Sequence, residues 1–434
     1  MARKILYNGI IITSNSNDEV ISNGAIGIEG EKIIYVGITH DDLTTYDENV
    51  DLKGNILLPG LVNTHGHTPM SLLRGYADDL HLQTWLEDKI WPLEAKYTPE
   101  HARWGTKLSI LEMIRTGTTT FVDMYDNMDE VARAVEEAGI RGVLCRGVIG
   151  FGSEELRQNK LKEAAAFADI WNNRANGRIT TMLSPHSPYT CSPEYISQII
   201  EKSAELNVPL HTHMSETRFE VEKNIEEYGA TPVRHLDKLG FFDRPALVAH
   251  AVHVNDEDID ILAEKSVKVS HNIVSNLKLG SGIAPVAKML AKGVTVSLGT
   301  DSVASNNNLD LFEEIKAVAT IHKGVAQDAT VITAVEALRM ATINGAESLW
   351  LENRIGSLEV GKDADFIVVD ANQSFFYPKN NPVSHLVYSG SGRDVKDVYV
   401  QGKQILANGQ STTMDEEKVL FEANRMSKLL NDEQ

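Results

Sequence analysis

Two textures alternate along the chain. Residues 1 to about 57 run as short apolar stretches, KILYNGIII, GAIGIEG, KIIYVG and NVDLKGNILLP, broken by Gly and Asn. Ile, Val and Tyr dominate them, which predicts strands joined by turns. The same texture returns from about 355 to 410 in DADFIVVD, HLVYSG and VKDVYVQGKQIL. In between, apolar strands alternate with amphipathic stretches, the pattern of βα units on a parallel sheet. Eight strands are predicted there: GLVNTHGH, TTTFVDMY, RGVLCRGVIG, ITTMLSPHS, PLHTHMSE, ALVAHAVH, VKVSHNIVS and TVSLGTDS. Helix starts lie between them. Thr98-Pro99-Glu100 offers an N-cap, a first-turn Pro and an early acid, with Gly117 as a stop. Ser192-Pro193-Glu194 repeats that signal, and Asn255 precedes DEDID, whose acids suit a helix start. Eight strands with interleaved helices predict a (β/α)8 barrel, the TIM-barrel form of the α/β class. An open doubly wound sheet is the alternative, but no GxGxxG follows the first strand. The tail DEEKVLFEANRMSKLL carries apolar residues at Val419, Leu420, Ala423, Met426, Leu429 and Leu430, at helical spacing. A helix docked on the body is the plain reading of such a stripe, and subunit association, as a homo-oligomer, the sharper one.

Composition narrows the class. The chain has 434 residues and a formal charge of −20, which opposes a nucleic-acid backbone or an anionic membrane as partner. Cys145 and Cys191 form no CxxC, so no disulfide framework is expected and a reducing, cytoplasmic compartment fits. The first residues lack a signal-peptide pattern, and no stretch approaches the ~20 apolar residues of a membrane helix.

Polar residues gather at the carboxyl ends of the predicted strands, the active-site face of a barrel. His65-Gly66-His67 ends the first. Side chains two apart on a strand point the same way, so both imidazoles can reach one ion, and Gly66 removes bulk between them. His211-Thr212-His213 ends the fifth and is followed by Glu216; the sixth carries His250 and His253; the eighth ends at Asp301. Imidazole and carboxylate donors converging from four strand ends suit Zn²⁺ or Fe²⁺. Unrelated core or surface histidines would not recur at corresponding positions.

LLPGLVNTHGH, HTHMSE, AHAVH, SLGTDS and GKDADFIVVD resemble the motifs of the metal-dependent amidohydrolase superfamily, in order and over nearly the whole chain. WPLEAKYTPE, SPHSPYTCS, HTHMSET and GTDSVASNNNLDLFEE are most similar to its 5-methylthioadenosine/S-adenosylhomocysteine deaminase branch, which is related to the triazine hydrolases and chlorohydrolases. The resemblance implies a composite β-sandwich from residues 1–57 and 355–415, a barrel over 58–354 and a C-terminal helix over 416–434. It implies His65, His67 and His213 as metal ligands, with Asp301 as ligand or near-ligand. Glu216 then resembles the proton shuttle, and His250 the histidine that orients water or substrate. A substrate-binding set follows by the same likeness: Glu94 for ribose hydroxyls, Arg146 and Arg157 for an amino-acid carboxylate, His186 for the base, with Glu216 among them. The binuclear members carry a carboxylated Lys on the fourth strand, and ITTMLSPHSPY has none, so one divalent ion per subunit is implied. Zinc is the family expectation, although the same donors hold Fe²⁺ or Mn²⁺.

The implied reaction is hydrolytic deamination of S-adenosylhomocysteine, 5'-methylthioadenosine or adenosine by a metal-bound hydroxide, with ammonia released. Burial or nearby charge must then raise the pKa of Glu216. Trp85 and Trp91 are candidates for an apolar wall or for plain core. His211 is open between support of a ligand and packing, and His253 reads as structural. The competing functions are a triazine, guanine or cytosine type hydrolase, and a non-catalytic scaffold, which would have lost the ligands present here. A nucleic-acid editing deaminase lacks its H-x-E…P-C-x-x-C signature in this chain.

Overall fold

The structure is a computed structural model and describes residues 2–40 and 42–432. The first segment forms β1 (Arg3–Ile12), β2 (Val20–Glu29), β3 (Lys32–Ile38), β4 (Glu48–Asp51) and β5 (Ile56–Pro59). The middle carries β6 (Leu61–Asn63), β7 (Thr118–Tyr125), β8 (Arg141–Val148), β9 (Ile179–Thr181) and β10 (Ser184–Pro185). It continues with β11 (Leu210–Met214), β12 (Ala246–His250), β13 (Lys268–His271) and β14 (Val296–Leu298). The last segment forms β15 (Phe366–Val369), β16 (Val395–Val400), β17 (Lys403–Ala407) and β18 (Gln410–Ser411).

Both chain ends build one nine-stranded sheet, in the order β18-β17-β16-β15-β5-β1-β2-β3, with β4 beside β1. Its seam is β5 against β15, where Leu58 faces Ile367 and Leu57 faces Val368. Ile26, Leu57, Phe366 and Tyr399 pack on one side of it as a core of their own. The HLVYSG segment departs from the strand texture expected of it and lies in a helix, Pro382–Tyr388. Asn381 caps that helix by accepting from Ser384 N at 3.0 Å, Pro382 holds its first turn, and Val383, Leu386 and Val387 form its buried face. Spacing of three and four residues, not two, is what those apolar positions carry.

All the middle strand pairs are parallel, in two sheets, β6-β7-β8-β10 with β9 beside β8, and β11-β12-β13-β14. Backbone hydrogen bonds also join the sheets. Leu183 N donates to Pro209 O and His211 N to Leu183 O, each at 3.0 Å, while Thr64 N donates to Leu298 O at 2.9 Å. The helix starts fall where the sequence signals them: Pro99–Arg115 after Thr98, Pro193–Leu206 after Ser192 and Asp256–Glu264 after Asn255. One large apolar core fills the space between middle strands and helices, with Phe121, Leu144, Val248 and Val269 fully buried in it.

The helix Glu416–Asp432 packs Ala423, Met426 and Leu430 into a cluster with Met70, Leu72, Leu82 and Trp85. That is the docked arrangement; Gln434 and Glu433, the end of the expected span, lie outside the described residues. Among the described residues no helix is long and apolar enough to cross a membrane.

Candidate active site and metal centre

The carboxyl ends of the middle strands meet in one place. Asp301 N donates to His65 O at 3.0 Å and Met124 N to Gly66 O at 3.1 Å, so the HGH turn is stitched between two neighbouring strand ends. Gly299 is the glycine this packing requires. A Cβ there would sit 2.5 Å from both Asn272 Oδ1 and Ser270 Oγ. At Gly66 a Cβ would meet only Val122 O at 3.5 Å and Asp301 O at 3.6 Å, ordinary contact distances. The expectation that Gly66 relieves crowding is therefore not needed to explain the geometry. Ser215, His250, Ala251 and Asp301 all adopt positive φ, at 53°, 77°, 46° and 61°. Such strained residues cost about 1–3 kcal/mol each and cluster where geometry serves function.

His65, His67 and His213 present ring nitrogens within 4.8 Å of one another. His67 Nε2 lies 3.3 Å from His213 Nε2 and 3.3 Å from Asp301 Oδ1, and His65 Nε2 lies 3.5 Å from the same oxygen. The rear of each ring is engaged: His67 Nδ1 donates to Met124 O at 2.6 Å and His213 Nδ1 to His186 O at 2.7 Å. Asp301 Oδ2 is held from behind by Ser275 Oγ at 2.6 Å and Ser305 Oγ at 2.9 Å, leaving Oδ1 to face the imidazoles. His250 Nε2 stands 3.7 Å from Glu216 Oε2, and its Nδ1 is 2.8 Å from Asn276 Oδ1.

Burial sets the charges. It holds His65 and His213 well below the usual imidazole pKa, aided for His213 by the neighbouring rings. Burial also opposes charge on His67, but the hydrogen bond and charge of Asp301 outweigh it and raise His67 to about 9. Burial resists ionisation of Asp301 too, and the two histidines overcome it, keeping the carboxyl well below its ordinary range. The carboxyl of Glu216 is pushed up by burial, as its expected role requires. His186 falls to about 3 through burial and the charges of His67 and His250.

Above this floor opens a cavity of about 380 Å³. His67, His186, His213, Glu216, His250 and Asp301 line its base. Trp85, Trp91, Glu94, Tyr97, Tyr125, Arg146 and Lys160 also line the cavity. Glu94 accepts from Tyr125 Oη at 2.6 Å, and burial raises its pKa against that hydrogen bond. Arg146 is paired with Asp126 at 3.0 Å and with Glu163. Arg157 is not among the lining residues; its guanidinium bonds Glu154 and Gly152 O beside its own helix start. His253 lies beyond the end of β12 and engages Ser281 O at 2.7 Å, away from the cavity.

A profile of the amidohydrolase family matches residues 56–405. The chain belongs to the amidohydrolase family. It is 46% identical over 426 residues to the 5-methylthioadenosine/S-adenosylhomocysteine deaminase of Thermoanaerobacter pseudethanolicus, covering 98% of this chain and 99% of that one. An adenosine deaminase of Xanthomonas campestris with bound zinc superposes with a TM-score of 0.94 at 33% identity, over 99% of both chains. The atrazine chlorohydrolase of Arthrobacter aurescens, complexed with zinc, gives 0.91 at 26% identity, over 98% of this chain and 100% of that one. These likenesses give this amidohydrolase a TIM-barrel-like α/β fold.

The donor set fits a divalent cation. His65 Nε2 is buried with no hydrogen-bond partner, and it points at the same spot as His67, His213 and Asp301 Oδ1. A buried polar atom left bare costs about 1–3 kcal/mol, which a cation at that spot would recover.

Four contributors escaped the sequence reading. Glu220 accepts from Ser215 N and Glu216 N, both at 2.8 Å, and so fixes the turn that carries Glu216. The Thr217-x-x-Glu220 spacing of a capping box was the available signal. Lys160 reaches the cavity from the helix Glu154–Trp171, three residues beyond Arg157. Ser275 and Ser305 lie within SHNIVS and TDSVAS, where no local pattern marks them as partners of Asp301.

Proposed function

We propose that this amidohydrolase removes the exocyclic amino group of S-adenosylhomocysteine and 5'-methylthioadenosine, and of adenosine, giving the inosyl products and ammonia. The observation that carries the reading is that a histidine-carboxylate centre, Glu216 and Glu94 line one cavity, in a chain similar over 98% of its length to a 5-methylthioadenosine/S-adenosylhomocysteine deaminase.

His65, His67, His213 and Asp301 would hold one divalent ion, with zinc favoured by the two zinc-bound relatives. Such an ion lowers the pKa of bound water from 15.7 to about 7. The chain supplies the rest. Glu94 takes the ribose hydroxyls, with Tyr125 fixing its carboxylate. His186, neutral, offers a hydrogen bond to the base. Glu216, whose hold on its proton burial strengthens, gives that proton to the ring nitrogen as the carbon is attacked. Asp301 and His250 receive the proton of the attacking water and align it. Glu216, now a carboxylate, takes the remaining proton of the new C–OH group and passes it to the amine. The carbonyl forms as the C–N bond breaks and ammonia leaves, and the proton held by Asp301 and His250 returns to Glu216. A general acid so placed contributes about 10²–10⁴-fold. Arg146 is largely neutralised by two acids, so Lys160 is the better-placed cation for an amino-acid carboxylate, and Arg157 serves only if its side chain turns.

The finer architecture belongs to the same proposal. Hydrogen bonds at Leu183–Pro209 and Thr64–Leu298 support closure of the two parallel sheets into one barrel over 58–354. Residues 1–57 and 355–415 would form the composite sandwich and 416–434 the final helix. The charge of −20 supports a small nucleoside, not a nucleic acid, as the partner, and free, buried Cys145 and Cys191 suit a cytoplasmic setting.

The test incubates the purified protein with the three nucleosides. Ammonia release and the ultraviolet shift from adenine to hypoxanthine are expected. No turnover of any of them would move the reading to hydrolases of other nitrogen heterocycles.

A further inference from the structure

His67 and His213 each turn Nδ1 toward a backbone carbonyl. A carbonyl only accepts, so those nitrogens each carry a proton and Nε2 is the ring atom turned toward the centre. His65 differs, because its Nδ1 faces another imidazole nitrogen, Nε2 of His211, at 2.9 Å. Two ring nitrogens leave the direction of the bond open at that point. It is settled one ring further back. His211 Nδ1 lies 2.9 Å from Leu247 O, which accepts and cannot donate. His211 is fully buried, and among the described residues its hydrogen-bond partners are His65 and Leu247 O with no carboxylate, so a second proton would leave a buried charge unpaired. Its single proton is therefore on Nδ1, its Nε2 accepts, and His65 Nδ1 donates. The unpartnered His65 Nε2 is the other end of that chain of bonds.

We infer that His211 is a positioning residue which locks His65 in the Nδ1–H tautomer and so keeps Nε2 open toward the metal centre. The alternative tautomer has a ready acceptor: Asp301 Oδ1 lies 3.5 Å from His65 Nε2. Without His211, a proton on Nε2 bonds that carboxylate and blocks a ligand position. Supporting hydrogen bonds of this kind are typically worth 10–100-fold in metal affinity. The carbonyl of Leu247, on the neighbouring strand β12, thus orients a ligand just beyond β6 through one intervening ring. The inference rests on the metal centre read above.

The test measures Co²⁺ affinity of metal-stripped protein by competition with a chromogenic chelator. His211→Phe removes the acceptor and is expected to weaken binding about 10–100-fold. His211→Gln keeps an acceptor oxygen and is expected to bind like the wild type. Wild-type affinity in His211→Phe overturns the inference. His213→Ala separates the two readings: if the wild type takes up no ion, or His213→Ala binds equally well, the metal centre itself is wrong. Should His211→Phe not fold, ¹⁵N-histidine spectra of the metal-free wild type decide. A protonated Nδ1 on His65 is expected, and a protonated Nε2 overturns the assignment.

Discussion

Glu94 and Glu314 show how burial gives a carboxyl group different meanings. Glu94 opens onto the cavity beside Tyr125 and is ion-paired with no Lys or Arg among the described residues. If it holds a ribose, Glu94→Ala should lower kcat/KM for S-adenosylhomocysteine about 10-fold or more, the loss of a charge-assisted hydrogen-bonded pair. Steady-state kinetics check this, and unchanged activity would end the ribose role. Glu314 is fully enclosed, bonded to Asn306 Nδ2 at 2.7 Å and Val274 N at 3.3 Å. Burial raises its pKa from 4.5 to about 8. Between those values the folded chain keeps a proton that the unfolded chain has lost. Stability from this group is full below about pH 4.5 and falls as pH rises toward 8. Denaturant unfolding from pH 5 to 9 should show Glu314→Gln gaining on the wild type as pH rises; parallel curves would refute the assignment. At this scale the metal-type histidines were legible because HxH at the end of an apolar run marks a strand end, although the structure places His65 and His67 in the turn just past β6, not on the strand itself. Lys160 was not, because positions 157 and 160 share one helix face, and the placement of the helix along its axis decides which turn reaches the cavity.

The final helix shows what an element contributes. It touches no substrate-facing atom, yet Met426 packs with Leu82 and Trp85, and both of those line the cavity. Met426→Ala should cost about 2–5 kcal/mol of stability and loosen that wall. Denaturant melts measure the first effect and a raised KM the second; a loss under 1 kcal/mol would mean the helix is only loosely applied. The stripe in the sequence predicted a docked face, but not what it docks on. Local signals were reliable where capping chemistry is local, as at Thr98, Ser192 and Asn255. They failed at HLVYSG, whose β-branched and aromatic content resembles a strand while Asn381 and Pro382 start a helix. The segment Trp85–Ile90, wound as a π-helix in the cavity wall, has no sequence signature at all.

Across the whole molecule, one buried ion network joins the chain ends to the parallel-strand unit. Arg141, at the start of β8, is almost fully enclosed and reaches Asp365 at 2.9 Å and Asp363 at 3.1 Å. Lys32 and Arg354 add their charges to Asp363. Arg141→Met should destabilise by about 3–5 kcal/mol, since it leaves Asp365 without a counter-charge. An unfolding free energy within 1 kcal/mol of wild type would show the network to be dispensable. The eight predicted parallel strands were readable one by one, because each is a short apolar run ending in polar residues; the fourth, ITTMLSPHS, is present as two short strands, β9 and β10. The seam of the outer sheet was not, because β5 and β15 lie some three hundred residues apart and neither run encodes its partner. The account as a whole depends on Glu216 acting on substrate, not on the ion. The direct measurement is the metal content and S-adenosylhomocysteine turnover of Glu216→Gln against the wild type. The account predicts equal metal and a turnover lowered about 10²–10⁴-fold. Wild-type turnover, or loss of the metal in that variant, would contradict it.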